Sequence, residues 1–459
     1  MTPSTPPFHV AVVGGGVTGL CLGIGLHARG VPFTIYERAT GIQEVGAGIG
    51  LSPNAEWAMK VLAPEVHAAY EKVANANGED YFQWVNGETK ELIFKLFVGE
   101  GCFRGCRRSD FLEELVKCLP RERLKFGMMV EDILEGEEGG IILRFADGSE
   151  EATDTGEKSY NLSVLVNAGQ LENHETNAMS KSDFYHPVIG SDGIRSRLRA
   201  QFFPGCSAAT YTQKYSFRAL IPMEQALARL GHNMTSTRFM YNGPDAHIIT
   251  YPVAGNTFLN TLAVISDPEP RWSAPGGRHT GRGATRDEAM RAFAGWHEDV
   301  KAIVEMLPAE MDKWAIFDML DNPIRQYHRG ARLCLAGDAA HAVGPHLGAG
   351  AGFGIEDACL LAELLKSVQD QLSNANEESQ KVKYLETAFG VYTEARYERT
   401  QWLVKQTRET VGLFEWKDPA VAKDPETYGR EITWRFHEIW DYDIDNMIEK
   451  AKSALMDVL

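Results

Sequence analysis

The fold class expected of this chain is α/β: a doubly wound, mostly parallel sheet, a second domain on a mixed β-sheet, and a helical C-terminal region. Three observations carry the expectation. The turn Gly14-Gly15-Gly16-Val17-Thr18-Gly19 follows an apolar run and opens a helical pattern. Two further turns, Gly190-Ser191-Asp192-Gly193 and Gly337-Asp338-Ala339-Ala340-His341, follow at intervals of roughly 175 and 145 residues. Between them, from Lys214 to Ser266, strand patterns dominate.

Phe8 to Val13 is a short β-branched run and reads as a buried parallel strand. It stops at Gly14; Val17 to Arg29 is helical in period, with Gly30 as its stop, and Val31 to Glu37 is a second strand. Strand, glycine turn, helix and strand form one βαβ unit of Rossmann type. Residues 109–119 read as a helix capped by Ser109. Lys125–Leu134 and Gly140–Phe145 read as strands, the second closed by the Asp147-Gly148 turn. Tyr215–Ile221, Ile248–Val253 and Phe258–Ile265 are assigned to an antiparallel sheet of the second domain. Arg332–Ala336 returns to a buried strand, followed by glycines and the helix Ile355–Lys366; beyond about residue 380 the pattern is mostly helical. Residues 150–184 are polar and without sustained period, which suits a surface excursion or a wrongly joined exon better than a packed element.

Composition narrows the function. A hydrophobic share of 44% and a charged share of 24% are those of a globular chain, and 459 residues give room for two domains. A net charge of −17 argues against a nucleic-acid partner, since no basic excess exists to displace counterions. Seven scattered cysteines, with only the Cys102/Cys106 spacing and no second pair, point to reduced thiols and to no metal. The start MTPSTPPFHV has neither basic residues nor a long apolar stretch, so a cytoplasmic setting away from membranes is expected.

The glycine turn permits close approach of the backbone to a pyrophosphate through Gly14, Gly16 and Gly19, and Glu37 at the end of the second strand can accept hydrogen bonds from ribose hydroxyls. Asp338, delivered by the strand Leu333-Cys334-Leu335, can bind polyol hydroxyls. The glycines from Gly348 through Gly350 and Ala351 to Gly352 offer backbone amides at a helix start. A nicotinamide-only Rossmann enzyme needs the first turn alone; three turns in this order point to a flavin held along its length.

On these motifs the chain resembles the class A flavoprotein monooxygenases, the family of para-hydroxybenzoate and salicylate hydroxylases, over about residues 8–445. The resemblance implies FAD as cofactor, NAD(P)H as co-substrate and a flavin C4a-hydroperoxide as the oxygen donor. It places the ADP half of FAD on the first turn, Asp192-Gly193 near the pyrophosphate, and Asp338 on the ribityl chain. Arg108, Arg38 and the Gly46–Gly50 stretch are placed beside the cofactor, and Pro345 near the reactive face of the flavin. His341 is taken as structural support. The implied division assigns 1–80, 108–205 and 326–380 to the FAD-binding domain, 81–107 and 206–325 to the substrate domain, and 381–459 to C-terminal helices.

Phe217-Arg218-Ala219-Leu220 and Tyr251-Pro252-Val253-Ala254 carry a narrower likeness, to fungal phenol hydroxylases that dearomatise resorcinol-type polyketides. There the arginine and tyrosine bind the substrate phenolate, so Arg218 and Tyr251 are the catalytic candidates. Independently, Arg218 interrupts an apolar strand and needs an anionic partner. An internal Arg–carboxylate pair with a core tyrosine is the plain alternative. Two other activities stay open at this point: decarboxylating hydroxylation of a salicylate, and flavin dehydrogenation without oxygen insertion. The expected partners are a small phenol and O2, in a monomer or homodimer.

Overall fold

The computed structural model describes residues 6–42, 48–135, 141–152, 187–206, 208–268, 272, 280–372, 378–422 and 424–459. Most of the polar stretch 150–184, together with Gly46 and Ala47, lies outside them.

A six-stranded sheet is built from Val10–Val13, Phe33–Glu37, Leu124–Phe126, Val188–Gly190, Leu333–Leu335 and His328–Arg329. Val10–Val13 pairs in parallel with Phe33–Glu37 on one side and with Val188–Gly190 on the other. Only the outermost pair, His328–Arg329 with Leu333–Leu335, is antiparallel. The chain direction of winding therefore reverses at Val10–Val13, which opens a crevice beyond the carboxyl ends of these strands. All three glycine turns sit there. The helix Val17–Ala28 packs on this sheet, and Gly350–Leu372 packs against that helix, through apolar residues buried almost completely, including Leu20, Ile24, Ile355 and Leu361.

The second large sheet has eight strands: Thr280–Thr285, Glu310–Asp318, Thr210–Pro222, Phe258–Ser266, Ala246–Val253, Arg238–Gly243, Tyr81–Asn86 and Leu92–Phe97 in spatial order. It is antiparallel except where Arg238–Gly243 meets Tyr81–Asn86, so it is mixed. Strand parity divides its residues between two faces. Phe217, Ile221, Ile248, Ala263 and Ile265 turn to one face and pack against the helices Met223–Leu230 and Glu298–Glu305. Trp84 and Met240 turn to the other, against Phe414, Tyr428 and Phe436 of the helices Glu378–Phe414 and Pro425–Trp440.

Two local expectations are corrected. Lys125–Leu134 is not one strand: Gly127 adopts φ +76°, and the chain breaks into Leu124–Phe126 and Val130–Glu135, which belong to different sheets. Ser109 is not a cap either. The helix begins one residue sooner, at Arg108, straight from the short strand Gly105–Arg107, and leaves Ser109 buried in its first turn. Among the described residues no helix is long and apolar enough to cross a membrane.

Candidate active site

Two cavities meet at the crevice. One, of about 490 Å³, is lined by Gly14, Gly16, Glu37, Arg38, Arg108 and Asp192, among others. The second, of about 420 Å³, is lined by Gly50, Arg218, Tyr251, Asp338, Gly350 and Ala351, among others. Gly16, Arg108, Ser191 and Gly193 border both, so the two form one continuous trough. Of the thirteen candidate residues, only Gly19 lines neither cavity.

Gly19 works from beneath. A methyl there would lie 1.9 Å from the Gly14 carbonyl oxygen and 2.7 Å from Ser191 Oγ. At Gly14 the backbone has φ +111°, and a Cβ would meet the Ser191 carbonyl oxygen at 2.4 Å. These two glycines close the turn onto the Ser191 segment. Gly16 differs: a Cβ there would meet nothing within 4 Å, because its open side faces the trough. The helix Val17–Ala28 starts at that point and Gly350–Leu372 starts at the other end, so two positive helix ends face one trough.

Each carboxylate here has a distinct environment. Glu37 accepts backbone N–H groups on both oxygens, from Gly15 at 2.6 Å and Ala39 at 2.8 Å. Asp192 accepts from the Arg197 backbone N–H at 2.8 Å through Oδ2, so half of it caps the helix Arg197–Phe202; its Oδ1 is buried and has no partner among the described residues. Asp338 begins the short helix Asp338–His341, and its side chain is exposed to the trough, which it lines. Desolvation by the surrounding walls of the trough raises the carboxyls of Asp338 and Asp192 above the ordinary aspartate range. His341 does not line the trough. Its Nε2 lies 2.6 Å from Asp357 Oδ2, which also accepts the Gly337 N–H at 2.8 Å, so it ties the third turn to the helix Gly350–Leu372.

Arg218 and Tyr251 come together through register. Thr210–Pro222 pairs Arg218 with Leu262, and Leu262 pairs with Ile249; one row on, Leu220, Asn260 and Tyr251 align. Alternation turns Arg218, Leu262, Ile249, Asn260 and Tyr251 to one face, and all five line the 420 Å³ cavity. The Arg218 guanidinium lies 4.9 Å over the Trp314 ring, and its buried Nε has no hydrogen-bond partner. Among the described residues it has no carboxylate, so the internal ion pair is not what holds it. Burial lowers the Arg218 pKa, and burial raises the Tyr251 hydroxyl well above an ordinary phenol.

Three participants escape a reading of the sequence. Asn260 Oδ1 accepts the Gly48 N–H at 2.8 Å, Phe103 walls the cavity, and Arg238 lies in it almost wholly buried. Arg238 and Met240 alternate along their strand as Tyr251 and Ile249 do along the next, so pairing the two strands correctly would have located it.

A family model described as FAD binding domain matches residues 181–379. FAD-dependent monooxygenase orf3 of Aspergillus niger is 40% identical, with 98% of this chain and 97% of that protein aligned. The chain belongs to the FAD-dependent monooxygenases. Salicylate hydroxylase asL1 of Sarocladium schorii is 33% identical over 97% of the chain and 90% of its own length. The solved structure of a salicylate hydroxylase substrate complex matches the monooxygenase with TM-score 0.77 and 28% identity, each chain covered to 98%. FAD is the cofactor of this monooxygenase, and the trough suits it. Two helix ends and the trough-lining Arg38, Arg108 and Arg195 would offset a pyrophosphate, and the unclashed side of Gly16 would leave its approach open.

Proposed function

We propose that this monooxygenase hydroxylates a phenolic polyketide of the resorcyl aldehyde or ketone type and leaves the ring dearomatised. The observation that carries the reading is a half-buried guanidinium, Arg218, whose buried Nε has no partner and which has no carboxylate among the described residues, in one cavity with Tyr251, Ile249 and Leu262. In balance, one oxygen atom of O2 enters the ring, the other leaves as water, and NAD(P)H supplies two electrons. Bound FAD supplies the redox and oxygen-transfer chemistry. It would be held by Gly14, Gly16, Glu37 and Arg38 at its nucleotide end, by Arg108 and Asp192 near the pyrophosphate, and by Asp338, Gly50, Gly350 and Ala351 at the flavin end.

The residues of the chain make the substrate reactive. A phenol with a pKa near 10 is mostly neutral at pH 7. A guanidinium about 4 Å from its oxygen contributes on the order of 4 kcal/mol at an effective dielectric constant near 20. That is about three pKa units, before the opposing desolvation of the phenolate is counted. Arg218 therefore favours the electron-rich phenolate, and the Tyr251 hydroxyl, neutral because it is buried, donates a hydrogen bond to the same oxygen. Ile249 and Leu262 form an apolar floor for the ring and keep water from it. Where the attacked carbon bears a methyl group it has no proton to lose, and aromaticity does not return.

The likeness to two salicylate hydroxylases favours one second reading, in which Arg218 grips a carboxylate and CO2 is lost. Turnover of a methylated resorcyl aldehyde and of salicylate under 18O2 separates the two. A one-oxygen mass gain with loss of aromatic absorbance supports dearomatisation; CO2 release from salicylate alone replaces it. A variant at the other end of the trough tests the cofactor assignment. Gly16→Ala is expected to fold normally, since its Cβ meets nothing, yet to bind FAD at least tenfold more weakly. Equal FAD affinity by flavin-fluorescence titration would remove Gly16 from the site.

A further inference from the structure

We infer that Arg238 is a second anion-recognition residue of the substrate cavity, and that the substrate carries two acidic oxygens, one at each end of its ring. The inference rests on the phenol reading for the first of these oxygens, which belongs to Arg218 and Tyr251. For the second it names a carboxylate, a vinylogous acid or a second phenolate, facing Arg238.

Arg238 is only 2% exposed. A guanidinium has five N–H donors. Among the described residues this one has a single acceptor, the Phe103 carbonyl oxygen, and no carboxylate. Ring faces take the place of a counterion: Phe103 at 4.0 Å, Tyr251 at 5.5 Å and Phe82 at 5.6 Å. Such contacts compensate a buried cation only in part, because burying a charge costs more than ring faces return. Burial pushes the guanidinium pKa down to about 10, which still leaves it charged at neutral pH.

Its open side is the cavity, which it lines. Gly50 borders that side: a Cβ there would be in ordinary contact with Arg238 Nη2 at 3.8 Å and with the Phe103 ring at 3.5 Å. The sheet then sets the distance to the first cation. Arg238 and Arg218 stand on strands separated by Ala246–Val253 and Phe258–Ser266, three strand spacings or roughly 14 Å of backbone. Between them, on the same face, lie Tyr251, Ile249, Asn260 and Leu262. Two cations without carboxylate partners among the described residues, at either end of a floor made by Ile249, Leu262, Tyr251 and Asn260, fit a doubly acidic aromatic better than a simple phenol.

The test compares wild type, Arg238→Gln and Arg238→Lys as FAD-loaded proteins. Substrate affinity is read from the perturbation of flavin absorbance, with two methylated phenols that differ only in a ring carboxylate opposite the hydroxyl. For Arg238→Gln the dissociation constant of the carboxylated phenol is expected to rise 10- to 100-fold, the range of a charge-assisted hydrogen bond. That of the plain phenol should change less than threefold, with FAD affinity unaltered. Arg238→Lys should restore part of the loss and shows whether folding survives at this position. An equal loss for both phenols, or loss of FAD from both variants, overturns the inference and gives Arg238 to the fold or the cofactor. Should wild type bind neither phenol, the phenol reading fails by itself, and benzoate decides Arg238 separately. Benzoate that perturbs wild-type flavin but not Arg238→Gln upholds the second anion site; an equal response in both overturns it.

Discussion

Arg396→Leu is expected to cost the fold about 3–5 kcal/mol, the penalty for breaking a buried ion pair and stranding its partner. Against the total of about 5–15 kcal/mol typical of folded proteins, that is a large fraction of the stability. Arg396 is completely buried, with Nη1 2.5 Å from Glu356 and Nε 2.7 Å from Asp357. Arg399 holds the other Glu356 oxygen at 2.8 Å, and His341 and the Gly337 amide hold Asp357. The cluster therefore joins the helix Glu378–Phe414 to the helix whose start faces the trough, and to the third glycine turn.

Burial alone would raise both carboxyls; for Glu356, Arg399 and Arg396 outweigh it, and for Asp357, His341 and Arg396 do. Both are held below the ordinary range. A carboxyl depressed in the folded state gives stability that is present above its unfolded pKa near 4 and lost as pH falls. Removing Arg396 reverses the sign, since a buried carboxylate without its cation prefers to be protonated. Thermal unfolding should thus show Arg396→Leu least handicapped near pH 5 and most handicapped at pH 8, relative to wild type. A melting temperature within a few degrees of wild type at pH 8 would show that Arg399 and His341 suffice.

Most of the nucleotide-binding half was legible because its chemistry is local. The turn from Gly14 to Gly19, Asp192 and Asp338 each follow a short apolar strand, and a parallel sheet brings the carboxyl ends of those strands to one crevice. What stayed hidden depends on pairing between distant segments. Arg238 stands in a strand whose neighbours are Tyr81–Asn86, some 150 residues earlier, and Ala246–Val253, and only the register of both turns it toward Tyr251. The break at Gly127 was missed for a related reason. A glycine inside an apolar run reads as a weak strand position, whereas here its positive φ sends the chain from one sheet to another. Glu37 shows the limit of motif reading: it stands at the end of the second strand and lines the trough, yet both oxygens are engaged by backbone amides that no spacing reveals.

The largest effect on activity is expected from Arg218→Met, with FAD binding retained, because Arg218 lies beyond the turns that border the nucleotide end. If the guanidinium lowers the phenol pKa by about three units, its loss reduces the reactive phenolate about 10³-fold at pH 7. That deficit has a signature. Wild type should be nearly flat in kcat/KM above pH 7, whereas the variant should gain close to tenfold per pH unit until the phenol ionises unaided near pH 10. Arg218→Lys keeps the charge but not the planar fork, so it should fall between the two and share the wild-type pH profile. A methionine variant that is slow by the same factor at every pH would assign Arg218 to holding the ring in place. One that hydroxylates at the normal rate would take Arg218 out of the reaction, and the anion it lacks within the protein would have to be sought elsewhere.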